Sequence, residues 1–282
     1  MSVEEIREKI QKFCIEITES NETEKSTLSI PRGATGSGTG QPFENWLQNL
    51  LPEIIEYQVF GKFDFAKYVI KNYLNNKSLT SLLKTTWWAA FQQLTPSSVR
   101  RIEEGEQPKL QQAFGDIIVK YGDDWNDILL IDVKATEISN GKPTGRPPNI
   151  VSAFRLLRFF AGLFDEKAHL IEKVNVWLIG FDYIPVGNGE VRINQAHCKD
   201  LFALDLDKTP SINFDAAIQI QWHLRDMVER EDQTLEEFAR GLANKYLDDW
   251  KAFTNRRDKQ IEEIVEKLLA AIKKSHAQKR IT

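Results

Sequence analysis

The sequence predicts an α/β protein with a central mixed β-sheet flanked by helices, and two patterns support this prediction. Short runs of branched apolar residues alternate along the 282 residues with longer stretches in which apolar residues recur at helical spacing. Two pairs of the short runs are separated by turn-forming residues, as in β-hairpins. No internal repeat or linker-like composition divides the chain, so we expect a single domain over 1–282.

Composition and charge narrow the class of protein. The chain is 41% hydrophobic and 28% charged, with a mean hydropathy of −0.40, as in water-soluble globular proteins. It has no apolar run of about 18 residues and no signal-peptide core, so we expect a cytoplasmic location and no membrane partner. Neither the two cysteines nor the four histidines have the spacing of a zinc site. The net charge of −4 does not by itself indicate a nucleic-acid partner.

The N-terminal part of the chain is predicted to form a helix, a loop and a second helix. Ile6 and Ile10 belong to a helical apolar period within 1–25. The segment 29–40 contains four glycines and a proline, which interrupt that period and favour a loop. A helix is then expected to begin at Pro42, because proline suits the first turn of a helix.

The middle of the chain passes from helices to strands. Apolar spacing predicts helices over 63–75 and 78–93, and charges and prolines predict surface connections between 95 and 112. The runs 117–119 and 128–133 are then rich in branched residues and are separated by a polar turn. They are predicted to pair as a hairpin.

The second half repeats the alternation of helix and strand patterns. After a polar loop over 140–148, a helix is predicted at about 150–164. The runs 174–184 and 191–193 flank the turn residues 187–189 and predict a second hairpin.

The C-terminal part combines one strand pattern with a long helix. Residues 218–225 alternate strictly between apolar and polar side chains, which predicts a strand with one buried face. The tail from 235 has a helical period, and 251–282 carries nine Lys or Arg against four Asp or Glu. We therefore expect a basic C-terminal helix with Ile261 and Ile264 in its apolar stripe.

Charged residues stand at the ends of the first predicted hairpin, whose interior should be dry. Asp116 precedes one strand, and Asp132 and Lys134 end the other on a shared face, because side chains alternate along a strand. Strand pairing would bring Asp116 near Asp132. Two close carboxylates repel one another unless a cation neutralises them, and oxygen ligands favour a hard ion such as Mg²⁺. The spacing thus predicts a metal site formed by Asp116, Asp132 and the main-chain carbonyl of Val133.

Such a site suits the hydrolysis of a phosphodiester. A carboxylate-held Mg²⁺ can deliver a water-derived nucleophile and offset negative charge. Lys134 would either stabilise the developing charge or orient the attacking water. The structural alternative is a surface ion pair between Asp132 and Lys134, worth ~0–1 kcal/mol. Glu44, in the second predicted helix, is either a carboxylate close to the metal or part of a solvated helix face.

Four sequence blocks carry a family resemblance. They are Gly40-Gln41-Pro42-Phe43-Glu44, Gly115-Asp116-Ile117-Ile118-Val119 leading to Leu130-Ile131-Asp132-Val133-Lys134, Pro148-Asn149-Ile150-Val151-Ser152-Ala153, and Asn213 with Ala216-Ala217-Ile218-Gln219-Ile220-Gln221-Trp222-His223-Leu224-Arg225-Asp226. In this order they resemble the HincII/HindII-type type II restriction endonucleases, over about 30 to 260 of the chain. The resemblance implies the restriction-endonuclease-like PD-(D/E)xK fold and assigns catalysis to Asp116, Asp132 and Lys134.

The resemblance also implies an activity and partners. Members of that family are Mg²⁺-dependent homodimers that cut double-stranded DNA at the centre of a palindromic GTYRAC-type site and leave blunt ends. Two active sites related by a two-fold axis match a palindrome. A partner methyltransferase would protect the host's own sites. The alternatives are a PD-(D/E)xK nuclease of repair or recombination and a DNA-binding regulator that does not cleave.

Candidate DNA contacts fall in two segments. The loop that follows the catalytic strand would place Lys142, Arg146 and Asn149 near the substrate, and arginine and asparagine suit phosphates and base edges. A solvated turn is the alternative for Lys142. Gln219 and Gln221, on the polar face of the last predicted strand, could contact bases or instead satisfy neighbouring strands.

The resemblance adds further DNA-contacting positions. It implies that the glycine-rich loop ending at residue 40 wraps the DNA backbone, with Arg32 on a phosphate, and that the loop 140–149 intercalates in part. It also places Asn213 at a base-contacting position. Arg146 stands where the family has glutamine, and Asp215 stands where the family has a small residue. Asp215 could accept a hydrogen bond from a cytosine amino group or repel a phosphate.

Overall fold

The computed structural model of the protein describes residues 2–21, 24–31, 37–74, 96–106, 115–123, 127–166, 173–215 and 218–279. Within these stretches the α-helices are α1 (Val3–Glu19), α2 (Ser37–Ile55), α3 (Lys62–Val69), α4 (Pro96–Glu103), α5 (Ala153–Glu166) and α6 (Leu235–Lys279). A π-helical turn, Ile70–Leu74, continues α3, and short 3₁₀ helices lie at Leu201–Ala203 and Leu224–Asp226.

The described strands form one large and one small sheet. They are β1 (Thr27–Ser29), β2 (Gln58–Gly61), β3 (Ile117–Lys120), β4 (Ile128–Ser139), β5 (Lys142–Pro143), β6 (Asn149–Ser152), β7 (Asn175–Gly187), β8 (Glu190–Asp200) and β9 (Gln219–Gln221). The large sheet has the order β1-β8-β7-β4-β3-β2, with β5 paired to the end of β4. The β4–β7 pair is parallel and the other pairs of this sheet are antiparallel, so the predicted mixed sheet is confirmed. β6 and β9 pair separately.

One face of the large sheet packs on the two N-terminal helices. Because side chains alternate along a strand, Ile117, Ile131 and Trp177 point to the same face of neighbouring strands. They are buried in one cluster with Phe43 and Leu47 of α2. The helical period predicted for the N-terminal segment thus covers this side of the sheet.

The opposite face packs on α3, α5 and α6. Here Leu130 and Leu178 share a buried cluster with Phe65, Phe159 and Phe238, one from each of these helices. The sheet therefore lies between two layers of helices, as the α/β prediction requires. Asp132 and Lys134 lie at even-numbered positions of β4, so they belong to the same face as Leu130.

The second predicted hairpin is confirmed. β7 and β8 pair antiparallel around a turn in which Asn188 and Gly189 have φ angles of 55° and 80°. A two-residue hairpin turn of type I′ requires two consecutive residues in the left-handed conformation. Asn-Gly adopts this conformation with little strain. The first hairpin, β3–β4, is likewise antiparallel.

Three predicted boundaries were wrong. The second helix begins at Ser37, five residues before Pro42, because the chain continues helical through the proline. The segment 95–112, predicted as a surface connection, contains α4, in which Ile102 packs on the core. The helix predicted from 150 begins at Ala153, because the preceding residues form β6. The helix predicted over 78–93 lies outside the described residues.

The strand predicted over 218–225 is much shorter than its alternation suggested. Only Gln219–Gln221 is a strand, because Ile218 has a φ of 54° and a 3₁₀ helix begins at Leu224. The alternation of burial nevertheless persists, since Ile220, Trp222 and Leu224 are all buried. An alternating pattern thus predicted the buried face and not the hydrogen-bonding pattern.

The long helix α6 extends well beyond the core. Its first turns are buried through Phe238 and Leu242, whereas Ile261 and Ile264 of the predicted apolar stripe are exposed. Among the described residues, no helix has both the length and the apolar composition required to cross a bilayer.

Candidate active site

The register of β3 and β4 brings Asp116 and Asp132 together. The ladder ends where Ile117 pairs with Ile131, so Asp116 lies one residue before β3 and Asp132 one residue beyond Ile131 in β4. The N–H of Asp116 donates to the carbonyl of Ile131 at 2.7 Å, one residue off this register, and keeps Asp116 against β4. The charge of Asp116 contributes to the raised pKa of Asp132, so the two carboxylates lie within electrostatic reach of one another.

Gly115 allows the hydrogen bond from the N–H of Asp116 to the carbonyl of Ile131 to form. Its φ is +77°, a conformation that side chains disfavour. A Cβ at this position would lie 3.1 Å from the Cβ of Leu130 and 3.2 Å from the main-chain nitrogen of Ile131. A glycine immediately before Asp116 therefore lets the chain turn into β3 against the backbone of β4.

Both carboxylate oxygens of Asp116 have partners. Oδ2 accepts a hydrogen bond from the N–H of Val133 at 2.9 Å, and Oδ1 forms an ion pair with Lys62 Nζ at 2.6 Å. One carboxylate oxygen of Asp116 thus contacts the main chain of β4, and the other contacts the first residue of α3. This arrangement fixes the orientation of the carboxylate without any bound ion.

Asp132 and Lys134 form an ion pair on the same face of β4. Their side chains are 19% and 18% exposed, so this pair is not the surface ion pair of the structural alternative. Oδ2 of Asp132 is buried and is the oxygen that Lys134 Nζ contacts, and within the described part of the chain it has no further hydrogen-bond partner. It is therefore an oxygen whose lone pairs are incompletely satisfied by the protein.

The three predicted catalytic groups have shifted pKa values. Burial raises the pKa of Asp132 to about 6, with a further contribution from Asp116, against the lowering effect of Lys134. Burial also acts to raise the pKa of Asp116, but Lys62, Lys134 and the hydrogen bond from Val133 hold it below its usual range. For Lys134, burial favours the neutral amine, but Asp132 and Asp116 outweigh it and raise the pKa. Lys134 is therefore a cation at neutral pH.

Glu44 of α2 lies within electrostatic reach of this cluster. Burial and then the charge of Asp116 raise its pKa to about 7, while Lys62 acts to lower it. A third carboxyl group thus feels the same charges as Asp116 and Asp132. This behaviour favours the interpretation of Glu44 as a carboxyl close to the site over that of a solvated helix face.

The donor set fits a hard divalent ion. Mg²⁺ is commonly held by one or two carboxylates and keeps several waters, so Asp116 and Asp132 suffice for it. An ion at Oδ2 of Asp132 would compete with the ammonium group of Lys134, which contacts that oxygen. In the described residues there is no group of three or more His, Cys, Asp or Glu placed to hold a metal. A carbonyl ligand from Val133 stays a prediction.

A cleft of about 200 Å³ joins these groups to the predicted DNA-contacting segments. Asp132 and Lys134 line it together with Asn149, Gln219 and Arg155. Residues from the catalytic strand, from β6 and from β9 therefore face one space. Sequence reasoning had placed these segments near the substrate but gave no reason for β6 and β9 to pair.

Three amide side chains form a connected chain at the edge of this cleft. Asn213 Nδ2 donates to Gln221 Oε1 at 3.0 Å, and Gln221 Nε2 donates to Asn149 Oδ1 at 2.7 Å. Asn213 is also held by a two-way backbone pair with Gln219, at 2.9 and 3.1 Å. The predicted base-contacting residues thus come from three segments and orient one another.

The remaining predicted DNA contacts have varied surroundings. Lys142 and Arg146 are exposed, on β5 and on the turn that follows it. Asp215 forms an ion pair with Arg257 of α6, so this chain neutralises its charge. Arg32 lies outside the described residues.

Lys62 is the charged residue that the sequence analysis missed. It begins α3 immediately after β2, and Gly61 of β2 pairs with Ile117 of β3. The pairing places residue 62 next to residue 116. The usable sequence pattern was the short run 57–60 before Gly61, but three or four residues give little indication of which strand they join.

A larger cavity, of about 410 Å³, lies away from this cluster, between α1 and β8. It is lined in part by Cys14 and Cys198, whose thiol pKa values are raised by burial, that of Cys14 to about 12. Protonated thiols are poor nucleophiles. The chemistry of the molecule is therefore better placed in the smaller cleft.

Comparisons with known proteins identify the family. Residues 20–275 match the family model described as restriction endonuclease HincII. The chain is 25% identical over 259 residues to the type II restriction enzyme HindII of Haemophilus influenzae and 24% identical to HincII of the same species. Each alignment covers 86% of this chain and 90% of the relative. Among solved structures, the NlaIV restriction endonuclease aligns over 90% of both chains, with 14% identity and a TM-score of 0.37.

Proposed function

The chain belongs to the HincII restriction endonuclease family, and we propose that it is a type II restriction endonuclease that hydrolyses phosphodiester bonds of double-stranded DNA at a short palindromic site. A GTYRAC-like site with a blunt central cut is the specific form of this proposal. It also places the protein in the cytoplasm, where incoming DNA arrives.

One observation carries the proposal. The cleft lined by Asp132 and Lys134 is also lined by Asn149 and Gln219, and the amide chain continues from Asn149 to Gln221. An ammonium group can stabilise the charge of a phosphate, and a carboxylate can hold a divalent ion beside it. Amide side chains suit the edges of bases. Their presence in one cleft fits an enzyme whose cutting depends on sequence.

The roles of the catalytic groups follow from their charges. Asp116 and Asp132, with the carbonyl of Val133, would hold Mg²⁺, which when bound supplies a water-derived nucleophile and offsets charge on the phosphate. Lys134 is protonated at neutral pH, so it donates hydrogen bonds and positive charge and does not act as a general base. Its location beside Asp132 suits either stabilisation of the phosphate charge or orientation of the attacking water.

The DNA contacts are assigned by chemistry and exposure. Lys142 and Arg146 suit phosphates, because both are exposed cations. Asn149, Asn213, Gln219 and Gln221 suit base edges. Arg32 keeps its expected role on the DNA backbone, and Asp215 is a base contact only if it leaves Arg257.

A palindromic site requires a symmetric enzyme. We propose a homodimer in which each protomer cuts one strand, since a two-fold axis relates the half-sites of a palindrome. A methyltransferase of the same specificity would protect the host DNA and need not contact this chain.

The test is a plasmid digest with sequencing of the ends. The protein in Mg²⁺ should give discrete fragments with ends at one palindromic sequence, EDTA should stop cleavage, and Asp132→Ala should be inactive. Smeared or branch-specific products would indicate the repair nuclease, and specific binding without any cleavage would indicate the regulator. Blunt ends at GTYRAC would establish the specific form.

A further inference from the structure

Lys62 places a second ammonium group at the carboxylate pair. Its Nζ lies 2.6 Å from Asp116 Oδ1, and its side chain is 33% exposed, against 18% for Lys134. The described charges closest to one another are thus two carboxylates, Asp116 and Asp132, and two ammonium groups. Glu44 adds a third carboxyl group within electrostatic reach of Asp116 and Lys62.

Lys62 contacts the oxygen of Asp116 that the main chain of β4 does not engage. Oδ2 of Asp116 accepts the main-chain N–H of Val133, a bond built into the strand pairing. Oδ1 has no such main-chain bond in the described structure, and Lys62 Nζ is on it. An ammonium and a divalent ion cannot share one carboxylate oxygen without strong repulsion at such short range.

We propose that Lys62 is a positioning residue that competes with the divalent ion for Asp116, so that the protein binds the ion weakly until DNA is present. This inference rests on the proposed function, because it treats Asp116 as an ion ligand. The phosphate of bound DNA offers the ammonium another anionic partner. A lysine suits this exchange, because its charge lies on a flexible four-carbon stem.

The difference between the two lysines supports this division of roles. Lys134 extends from the middle of β4 and is largely buried beside Asp132. Lys62 lies at the first position of α3, at the edge of the sheet, and is more exposed. Lys62 can therefore move toward solvent or phosphate with less loss of packing than Lys134.

The test measures binding of Mn²⁺ alone to the DNA-free protein, from the electron paramagnetic resonance signal of the free ion. Lys62→Gln should bind Mn²⁺ about tenfold more tightly than the wild type, because a competing cation has been removed. Lys67→Gln removes the same charge from an exposed site on the same helix and should leave the affinity unchanged. An affinity of Lys62→Gln within twofold of the wild type would overturn the proposal.

Two further variants separate competition from a structural effect. Lys62→Arg keeps the positive charge and should bind Mn²⁺ as weakly as the wild type. In an Asp116→Asn background, Lys62→Gln should no longer tighten Mn²⁺ binding, because Lys62 acts through that carboxylate. A tenfold gain that persists without the Asp116 carboxylate would contradict the proposal even if every variant folds.

The dependence on DNA is tested in a Lys134→Ala background, which we expect not to cleave. A short duplex carrying the site should raise Mn²⁺ affinity more when Lys62 is present than in Lys62→Gln. An equal increase would contradict the coupling. A wild-type protein that never cleaves DNA would refute the proposed function, whereas the Mn²⁺ affinities of the DNA-free proteins would still decide the competition.

Discussion

The charged cluster of Asp116, Asp132 and Lys134, whose catalytic role is a proposal, and the amide chain of Asn149, Gln221 and Asn213 are held in place by different kinds of contact. Asp116 is tied to the backbone of β4 through its own N–H and through the N–H of Val133. Asn149, Gln221 and Asn213 are tied to one another by side-chain hydrogen bonds between segments up to 72 positions apart. The position of Asp116 therefore depends on main-chain contacts with β4, whereas the orientation of each amide depends on the other amides.

This difference has a consequence for how each region responds to change. Main-chain hydrogen bonds hold the backbone and one carboxylate oxygen of Asp116, so Lys134 can be removed without the loss of those contacts. In a chain of hydrogen-bonded amides, the removal of one side chain also releases its neighbours, because each amide orients the next. We therefore expect sharp, separable defects in the catalytic cluster and shared, smaller defects in the amide chain.

The largest effect is expected from Lys134→Ala. Loss of the buried ammonium should lower the single-turnover cleavage rate by about 1000-fold, the upper range for one electrostatic group in an active site. Specific binding in Ca²⁺ should change by less than about threefold, because Lys134 does not contact bases. Lys251→Ala, at an exposed position of α6, is the control and should cleave normally. A comparable loss of binding would show that the two regions are not separable.

Gly115→Ala tests the main-chain support directly. The left-handed φ of +77° and the contacts of 3.1 to 3.3 Å with β4 should lower the free energy of unfolding by about 2 kcal/mol. Displacement of Asp116 should also slow cleavage at least about tenfold. Denaturant titration and cleavage rates measure the two effects.

The control for this change is Gly105→Ala. Gly105 has a φ of +84°, but a Cβ there would meet nothing within 4 Å. It should lose only about 1 kcal/mol of stability and keep full activity. Equal losses for the two variants would mean that the contacts with β4 are unimportant.

Gln221→Ala tests the amide chain. It removes the central member, so discrimination between the site and a duplex changed at one base pair should fall about tenfold. Asn149→Ala should then add little to it, and a double-mutant cycle should give a coupling of about 1 kcal/mol. Competitive binding in Ca²⁺ measures these values. Strict additivity would show that the amides act independently.

The smallest effect is expected from Asp215→Ala. The Asp215–Arg257 ion pair is about half exposed on both sides, so its loss should change stability by less than about 1 kcal/mol. Base discrimination should stay within threefold of the wild type, as measured by the same competition. A loss as large as that of Gln221→Ala would instead identify Asp215 as a base contact.

The sequence was sufficient for the catalytic strand pair because the information there is local. Branched residues over 117–119 and 128–133, with a polar turn between them, fix both the hairpin and the shared face of Asp132 and Lys134. Asp116 directly precedes this hairpin and bonds to the carbonyl of Ile131. Its predicted catalytic and ligand roles stay predictions.

What the sequence did not predict depends on distant pairing. Lys62 reaches Asp116 only because β2 joins the edge of β3, and a four-residue strand does not specify its partner. The amide chain depends on the pairing of β6 with β9. The interruption at Ile218 was also missed, because the apolar and polar residues of the sequence alternate through it while the backbone does not remain extended.

The alternation of side chains along β4 sets a rule for how this hairpin can diverge. The connection between Lys120 of β3 and Ile128 of β4 is at the end of the hairpin opposite Asp116. A change in its length would therefore leave Asp116 and Asp132 in place. A single residue inserted between Leu130 and Asp132 would turn the acidic group toward the packed side chains of α2 and bring Val133 out into the cleft. The length of the connection between β3 and β4 can therefore change during evolution. Near Asp132, by contrast, residues of β4 can be gained or lost only in pairs if the carboxylate is to stay on the cleft side of the sheet.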